Sequence, residues 1–314
     1  MTTVSIIRRA LEVAGRRVSY LTTDGVPAPD SVSAERVTPR ETLLLIHGAG
    51  VSARTWVNQL RGLADVVRPI AIDLPGRQDS DAALDPTLAT YAETAYETLR
   101  RLHSGPAFVA GHSLGGAVAQ VLAERHAEAV KGLVLISTCA SMPPADGATR
   151  VLASVPWPFR RAVLQWMARR TLFGPCAPLD AVGLTMDELR ACRVSTIQSD
   201  TMMGRAIDLE DVAQRLRVPT LILCGARDEL TPPALSQRLA VLIAGSRLEI
   251  VPATGHMLPL EAPDVVNGAI VDFVRALAPG AAVPGTASVV SRRYDIRLAV
   301  QRLLGRLWRS AAEA

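Results

Sequence analysis

Gly111-His112-Ser113-Leu114-Gly115, followed by Gly116, fits the pattern G-x-S-x-G. The apolar run AFVA leads into it and the helical stretch LGGAVAQVLAERH leads out. A nucleophile on so sharp a strand-to-helix turn needs small neighbours. The turn lifts the serine hydroxyl above the sheet edge and aims a helix N-terminus at any negative charge that develops there. Five residues alone can match by chance, so the weight lies in the strand before and the helix after. A serine hydroxyl is a weak nucleophile and needs a base, usually a histidine oriented by a carboxylate. The chain has 5 histidines. His47 ends a strand before a glycine, His103 and His126 fall at helix ends and are expected to be solvated, and His112 is expected to point away from the chemistry. His256, in ATGHM, follows the last strand at the C-terminal edge of the sheet and is the candidate base. The acid is expected between them: Asp228 in CGARDE lies just past the strand LILC, with Glu229 as a neighbour that could compete. Asp73, in DLPG, also ends a strand, but it precedes Ser113 and reads as a turn-stabilising residue.

The elements that must position these groups alternate. Short apolar strands are followed by amphipathic helices, which implies an α/β fold with a largely parallel sheet covered on both faces. A hairpin is predicted over Leu11–Thr22, turning near Gly15, and 24–40 reads as a loop with three prolines. Strands are predicted at Leu43–His47, at a stretch ending with Pro69–Asp73, and at Ala107–Ala110, Leu133–Ser137, Pro219–Cys224 and Leu248–Val251. Helices are predicted at Ala53–Leu63, Leu88–Leu102, Leu114–His126, Pro233–Ile243 and Ala262–Leu277. The rhythm breaks between residues 138 and 209, which hold no convincing strand. A helical insertion this long inside an α/β sheet reads as a lid.

The chain order Ser113, Asp228, His256, together with the elbow, resembles the α/β-hydrolase superfamily. The resemblance covers roughly residues 10–278 and rests on HGAG, DLPG, GHSLGG, GARDELTP and ATGHMLPLEAP as a set. It implies an α/β-hydrolase fold with a mostly parallel eight-stranded sheet and an inserted helical lid. The domain division would be a core of 1–137 and 210–279, a lid of 138–209, a linker of 280–290 and a C-terminal helix of 291–314. The His47-Gly48-Ala49 match implies an oxyanion loop, with the backbone N–H groups of Ala49 and Leu114 as donors. Serine in the elbow argues against the haloalkane dehalogenases and epoxide hydrolases of the superfamily. The chain also lacks the S-G-P-G extension of carbon–carbon bond hydrolases and the HGGG run of hormone-sensitive-lipase-like enzymes. Carboxylesterases, lipase-like and lactonase-like enzymes, thioesterases and acyl-carrier methyl esterases remain.

Composition bounds the rest. The chain has 314 residues, 49% hydrophobic and 20% charged, which excludes a disordered or collagen-like polymer. No apolar run reaches the ~18 residues of a membrane span, and the N-terminus lacks a continuous apolar signal region, so the expected location is cytoplasmic. The 4 cysteines form no disulfide framework or metal motif, and no cofactor or metal is expected. The net charge of +4 resides in residues 291–314, with six arginines and two acids, so no nucleic-acid partner is expected. That tail aligns Ile296, Val300, Leu303, Leu304, Leu307, Trp308 and Ala311 on one helical face. It suits peripheral membrane contact, packing on the body, or self-association. In the insertion, Trp157 and Trp166 are expected to line an acyl pocket with Met257, and Arg160 and Arg161 to be solvated or to meet an acidic head group or carrier.

The expected activity is hydrolysis of a carboxylic ester of small to medium acyl chain through an acyl-enzyme. The alternatives are a thioesterase, acyltransferase or acyl-carrier methyl esterase with the same triad, and an interfacial binding protein whose triad is vestigial.

Overall fold

The computed structural model describes residues 4–23, 41–143 and 169–277. Eight strands form one sheet: β1 (Ile6–Val13), β2 (Arg16–Thr23), β3 (Glu41–Ile46), β4 (Val67–Ile72), β5 (Ala107–His112), β6 (Val130–Ile136), β7 (Thr220–Gly225) and β8 (Arg247–Val251). Their spatial order is β1-β2-β4-β3-β5-β6-β7-β8. Pairing is antiparallel in β1–β2 and β2–β4 and parallel elsewhere.

The parallel strands are apolar on both sides because both faces are covered. Successive side chains of β3 part company: Leu44 and Ile46 join one buried cluster, Leu43 and Leu45 the other. The first cluster takes residues of α2 (Leu88–Leu102), α3 (Leu114–Arg125), α6 (Glu210–Arg215) and α7 (Pro233–Leu242). The second takes Leu60 of α1 (Val57–Gly62), Leu258 of α8 (Leu258–Glu261) and Ile270 of α9 (Pro263–Ala276). The chain enters the centre at β3, runs outward to β4, then crosses back to β5 on the other side of β3. That reversal opens a crevice at the C-terminal ends of β3 and β5, where α/β sheets bind ligands.

The predicted elements form, with one instructive difference. The hairpin begins at Ile6, not Leu11, and turns at Ala14 and Gly15, both with positive φ (48° and 74°), a pairing that suits the twist of a two-residue hairpin. The charges of Arg8 and Arg9 interrupt the apolar pattern there, yet Arg8 is an inward partner: its guanidinium pairs with the buried carboxylate of Asp73. Between β6 and α6 the described residues hold α4 (Leu179–Ala191) and α5 (Val194–Arg205). The chain leaves and re-enters the body at one point, where Ser141 and Asp208 form an isolated bridge and Leu209 N donates to Ala140 O at 2.6 Å. The segment 24–40, Arg160, Arg161, the linker and the tail 291–314 lie outside the described residues.

Candidate active site

Ser113 stands between the end of β5 and the start of α3 with φ 54° and ψ −122°, a region that costs a non-glycine residue of order 1–3 kcal/mol. Its backbone is held on both sides: Ser113 N donates to Ile136 O at 2.9 Å, and its carbonyl accepts from Gly116 N and Thr138 Oγ1, each at 2.8 Å. The flanking glycines are required by contact. A Cβ on Gly111 would lie 2.2 Å from Gly115 O, and one on Gly115 would lie 2.3 Å from Ile46 O. The elbow thus seats α3 directly on the end of β3, and Leu114, the other expected oxyanion donor, opens that helix, whose first N–H groups have no intrahelical partner.

Asp228 and His256 are brought together, both nearly inaccessible (3% and 2% exposed). Nδ1 of His256 lies 2.9 Å from Oδ2 and 3.1 Å from Oδ1 of Asp228. An ionised carboxylate only accepts, so Nδ1 carries the proton and Nε2 keeps its lone pair. Burial pushes the Asp228 carboxyl up. The facing His256 charge and the hydrogen bonds from His256 and Thr231 outweigh it and hold the group below the usual carboxylate range. Glu229 is exposed and takes no part. The loops after β7 and β8 are laced at backbone level by Ala226 N to Val251 O and Arg227 N to Thr254 O, each 2.8 Å.

The serine reaches this pair through its neighbour. His112 is directed toward His256, against the sequence expectation: Nε2–H donates to the His256 carbonyl at 2.9 Å, and the two rings lie 5.0 Å apart. Enclosed on all sides, His112 has its pKa pushed down to about 3 by burial and by the charge of His256, so it stays neutral and structural. No hydrogen bond joins Ser113 Oγ to the His256 ring among the described residues. The arrangement is a joined Asp–His pair with the half-buried serine beside it.

The loop HGAG closes the other side. A Cβ on Gly48 would lie 3.1 Å from Ser113 Cβ, so this loop packs on the serine itself. His47 is fully buried. Its Nε2 accepts from Leu74 N at 3.0 Å, which places the proton on Nδ1, and Nδ1–H donates to Gly48 O at 2.8 Å. Burial and the nearby Arg77 lower the His47 pKa to about 3. The carbonyl that His47 holds belongs to the same peptide as Ala49 N–H, so the ring sets the direction of that donor.

Two further residues complete the site without having been singled out in the sequence. Thr231 donates its N–H (2.8 Å, to Oδ1) and its O–H (2.8 Å, to Oδ2) to Asp228. Its only signal was membership of GARDELTP. Glu261 accepts from Gly255 N at 3.0 Å and Gly174 N at 2.8 Å, tying the histidine loop to the inserted segment. Met257 is buried beside Phe173, Ala181 and Leu260, while Trp157 and Trp166 lie outside the described residues. His126 is not free in solvent: it stacks on Tyr96 at 3.5 Å and meets Glu93 at 3.0 Å. Asp73 receives Ser19 Oγ–H at 2.7 Å and Ala53 N–H at 2.9 Å, which makes it a structural acid. Among the described residues no cluster could hold a metal ion, and no helix is long and apolar enough to cross a membrane.

Comparison with known proteins agrees with this architecture. The model of the family described as "Alpha/beta hydrolase family" matches residues 43–269. A pimeloyl-[acyl-carrier protein] methyl ester esterase of Neisseria meningitidis is 27% identical over 243 residues, covering 74% of this chain and 93% of that protein. Among solved structures, a thermophilic esterase superposes with a TM-score of 0.71 at 28% identity, over 87% of this chain and 99% of the other. A hydrolase from Pseudomonas aeruginosa superposes with a TM-score of 0.69 at 26% identity, over 87% and 98%.

Proposed function

The chain belongs to the alpha/beta hydrolase family, and from that premise we propose that it is a serine hydrolase cleaving a carboxylic ester of small to medium acyl chain. The observation that carries the reading is the buried Asp228–His256 pair, with Nε2 left as acceptor, beside a backbone-strained Ser113 at a strand-to-helix elbow. Ser113 Oγ attacks the ester carbonyl while His256 Nε2 takes its proton, the missing contact closing when substrate fills the site. Asp228 holds the tautomer and supports the imidazolium. The N–H groups of Ala49 and Leu114 receive the oxyanion, the alcohol leaves with the proton from His256, and water activated by the same ring frees the acid. Residues 138–209 serve as the lid, its ends pinned together at the bridge between Ser141 and Asp208.

The test is hydrolysis of p-nitrophenyl esters from acetate to dodecanoate by the wild type and by Ser113→Ala. The variant is expected to lose about 10⁶-fold in kcat, and the chain-length optimum measures the acyl pocket. Turnover retained by Ser113→Ala would overturn the reading. A second reading has one observation in its favour, the similarity to an esterase named for a methyl ester carried on acyl-carrier protein. A kcat/KM far higher for a methyl ester on a carrier protein than for the same free methyl ester would establish it.

A further inference from the structure

Ala49 lies between two peptides, and each is held by a buried side chain. His47 holds the Gly48 carbonyl from within the sheet. The Ala49–Gly50 peptide is held from outside it: Gly50 N–H donates to Oδ2 of Asp200 at 2.9 Å, and Asp200 is carried by α5 of the inserted segment. Asp200 is fully buried and is neutralised by Arg77, itself only 3% exposed, which leaves the loop after β4 and also bonds Tyr91 Oη. The inserted helices press on this peptide. A Cβ on Gly50 would lie 2.9 Å from Leu189 of α4 and 3.7 Å from Ile197 of α5, and Gly50 has φ +69°, a conformation that glycine adopts without strain.

We propose, on the strength of the serine-hydrolase reading above, that Asp200 is a positioning residue of the reaction: by gripping Gly50 N–H it fixes the peptide after Ala49 and, with His47 holding the peptide before it, keeps Ala49 from rotating, so that its N–H stays aimed at the developing oxyanion. Energetics favour this role over a purely structural one. A buried ion pair contributes little net stability, because desolvating both charges offsets their attraction. A hydrogen bond from a backbone N–H to a carboxylate is short and roughly twice as strong as a neutral one, which suits a peptide that must not rotate. The segment expected to shape the substrate pocket thereby also sets the geometry of charge stabilisation.

Both of the Asp200 bonds fall on Oδ2, while Oδ1 has no hydrogen-bond partner among the described residues. Asparagine can therefore keep the Gly50 acceptor, whereas alanine cannot. The test compares Asp200→Asn with Asp200→Ala, alone and in an Arg77→Met background where no buried charge is stranded. Each is measured for thermal unfolding, kcat and KM on the best p-nitrophenyl ester, and inhibition by an alkyl boronic acid, which mimics the tetrahedral oxyanion. The alanine variant is expected to lose about 10- to 100-fold in kcat relative to its asparagine counterpart. KM should move less than about twofold, and the boronate should weaken by the factor lost in kcat. Equal kcat and equal boronate affinity in folded asparagine and alanine variants would overturn the proposal, as would a loss confined to KM. Amide hydrogen exchange on the wild-type chain needs no variant: slow exchange at Gly50 is expected, and exchange as fast as in an open loop would also overturn it. Ser113→Ala is run alongside. Turnover retained there would sink the hydrolase reading itself, whereas turnover lost there with an indifferent Asp200 would sink only the positioning role.

Discussion

Two aspartates occupy equivalent places, one just past the end of β4 and one just past β7, and both are buried. Their surroundings make them opposites. Asp73 faces Arg8, Ser19 and the N–H of Ala53, and so fastens the β1–β2 hairpin and the start of the α1 region to the sheet. Burial is the largest influence on it and raises its pKa despite those partners. Asp228 faces an imidazole and two donors from Thr231, and the same burial is outweighed. Position past a strand thus supplies a buried carboxylate, and what lies opposite decides whether it ties elements together or pairs with an imidazole.

The largest effect separating the two should come from Asp228→Asn, which keeps the shape but removes the charge that holds the His256 tautomer. A loss of about 10⁴ in kcat is expected with the fold intact, measured by steady-state kinetics and circular dichroism. Asp73→Ala should do the reverse. Stranding Arg8, Ser19 and the Ala53 N–H costs about 3–5 kcal/mol in denaturant unfolding, while kcat per folded molecule stays near wild type. If Asp73→Ala were stable but inactive, the division of labour would be wrong. Thr231→Val sharpens the contrast, since it deletes the hydroxyl that donates to Asp228 at 2.8 Å and stands 3.2 Å from His256 Nδ1, while the backbone donor to Asp228 stays. Loss of a hydrogen bond of about 1.4 kcal/mol predicts roughly a tenfold fall in kcat. A separate effect, graded by pH unit and not by substitution, is on stability. His47 and His112 stay neutral in the fold to about pH 3, whereas an unfolded chain protonates both below ~6.5. The unfolded state then binds more protons, so stability should fall as pH drops from ~6.5 toward 3, by about 1.4 kcal/mol per unit for each histidine. The Asp228 contribution should persist until below its ordinary value of ~3.9. Unfolding free energies flat from pH 7 to 5 would show that the two buried rings take up protons in the native state.

The contrast also marks what could be read from the chain. Strand and helix positions were legible because β3, β5 and β6 are short apolar runs between turn residues, and because helical faces repeat with the right period. Ser113, Asp228 and His256 stand out as candidates because they follow strand ends, by one, three and five residues, in recognisable local patterns. The partners do not. Arg8 looked like an interruption because a charge inside a strand signals solvent unless an acid some 65 residues away is known to face it. Glu229 could be set aside only once the turn after β7 had turned it outward. His112 seemed to point away because adjacency in sequence says nothing of a ring that reaches the loop after β8. Asp200 carries no motif at all, and its role depends on an α5 helix whose seating no local pattern records.

The grip of Asp200 on Gly50 spans 150 residues of chain and its pairing with Arg77 spans 123, so neither can form until the sheet between them is assembled. The order of events during refolding is thereby constrained. Helical signal should return first, and turnover should lag behind it while the inserted helices find their seat. The interval between the two recoveries measures how long the body of the protein exists before its reactive loop comes into register.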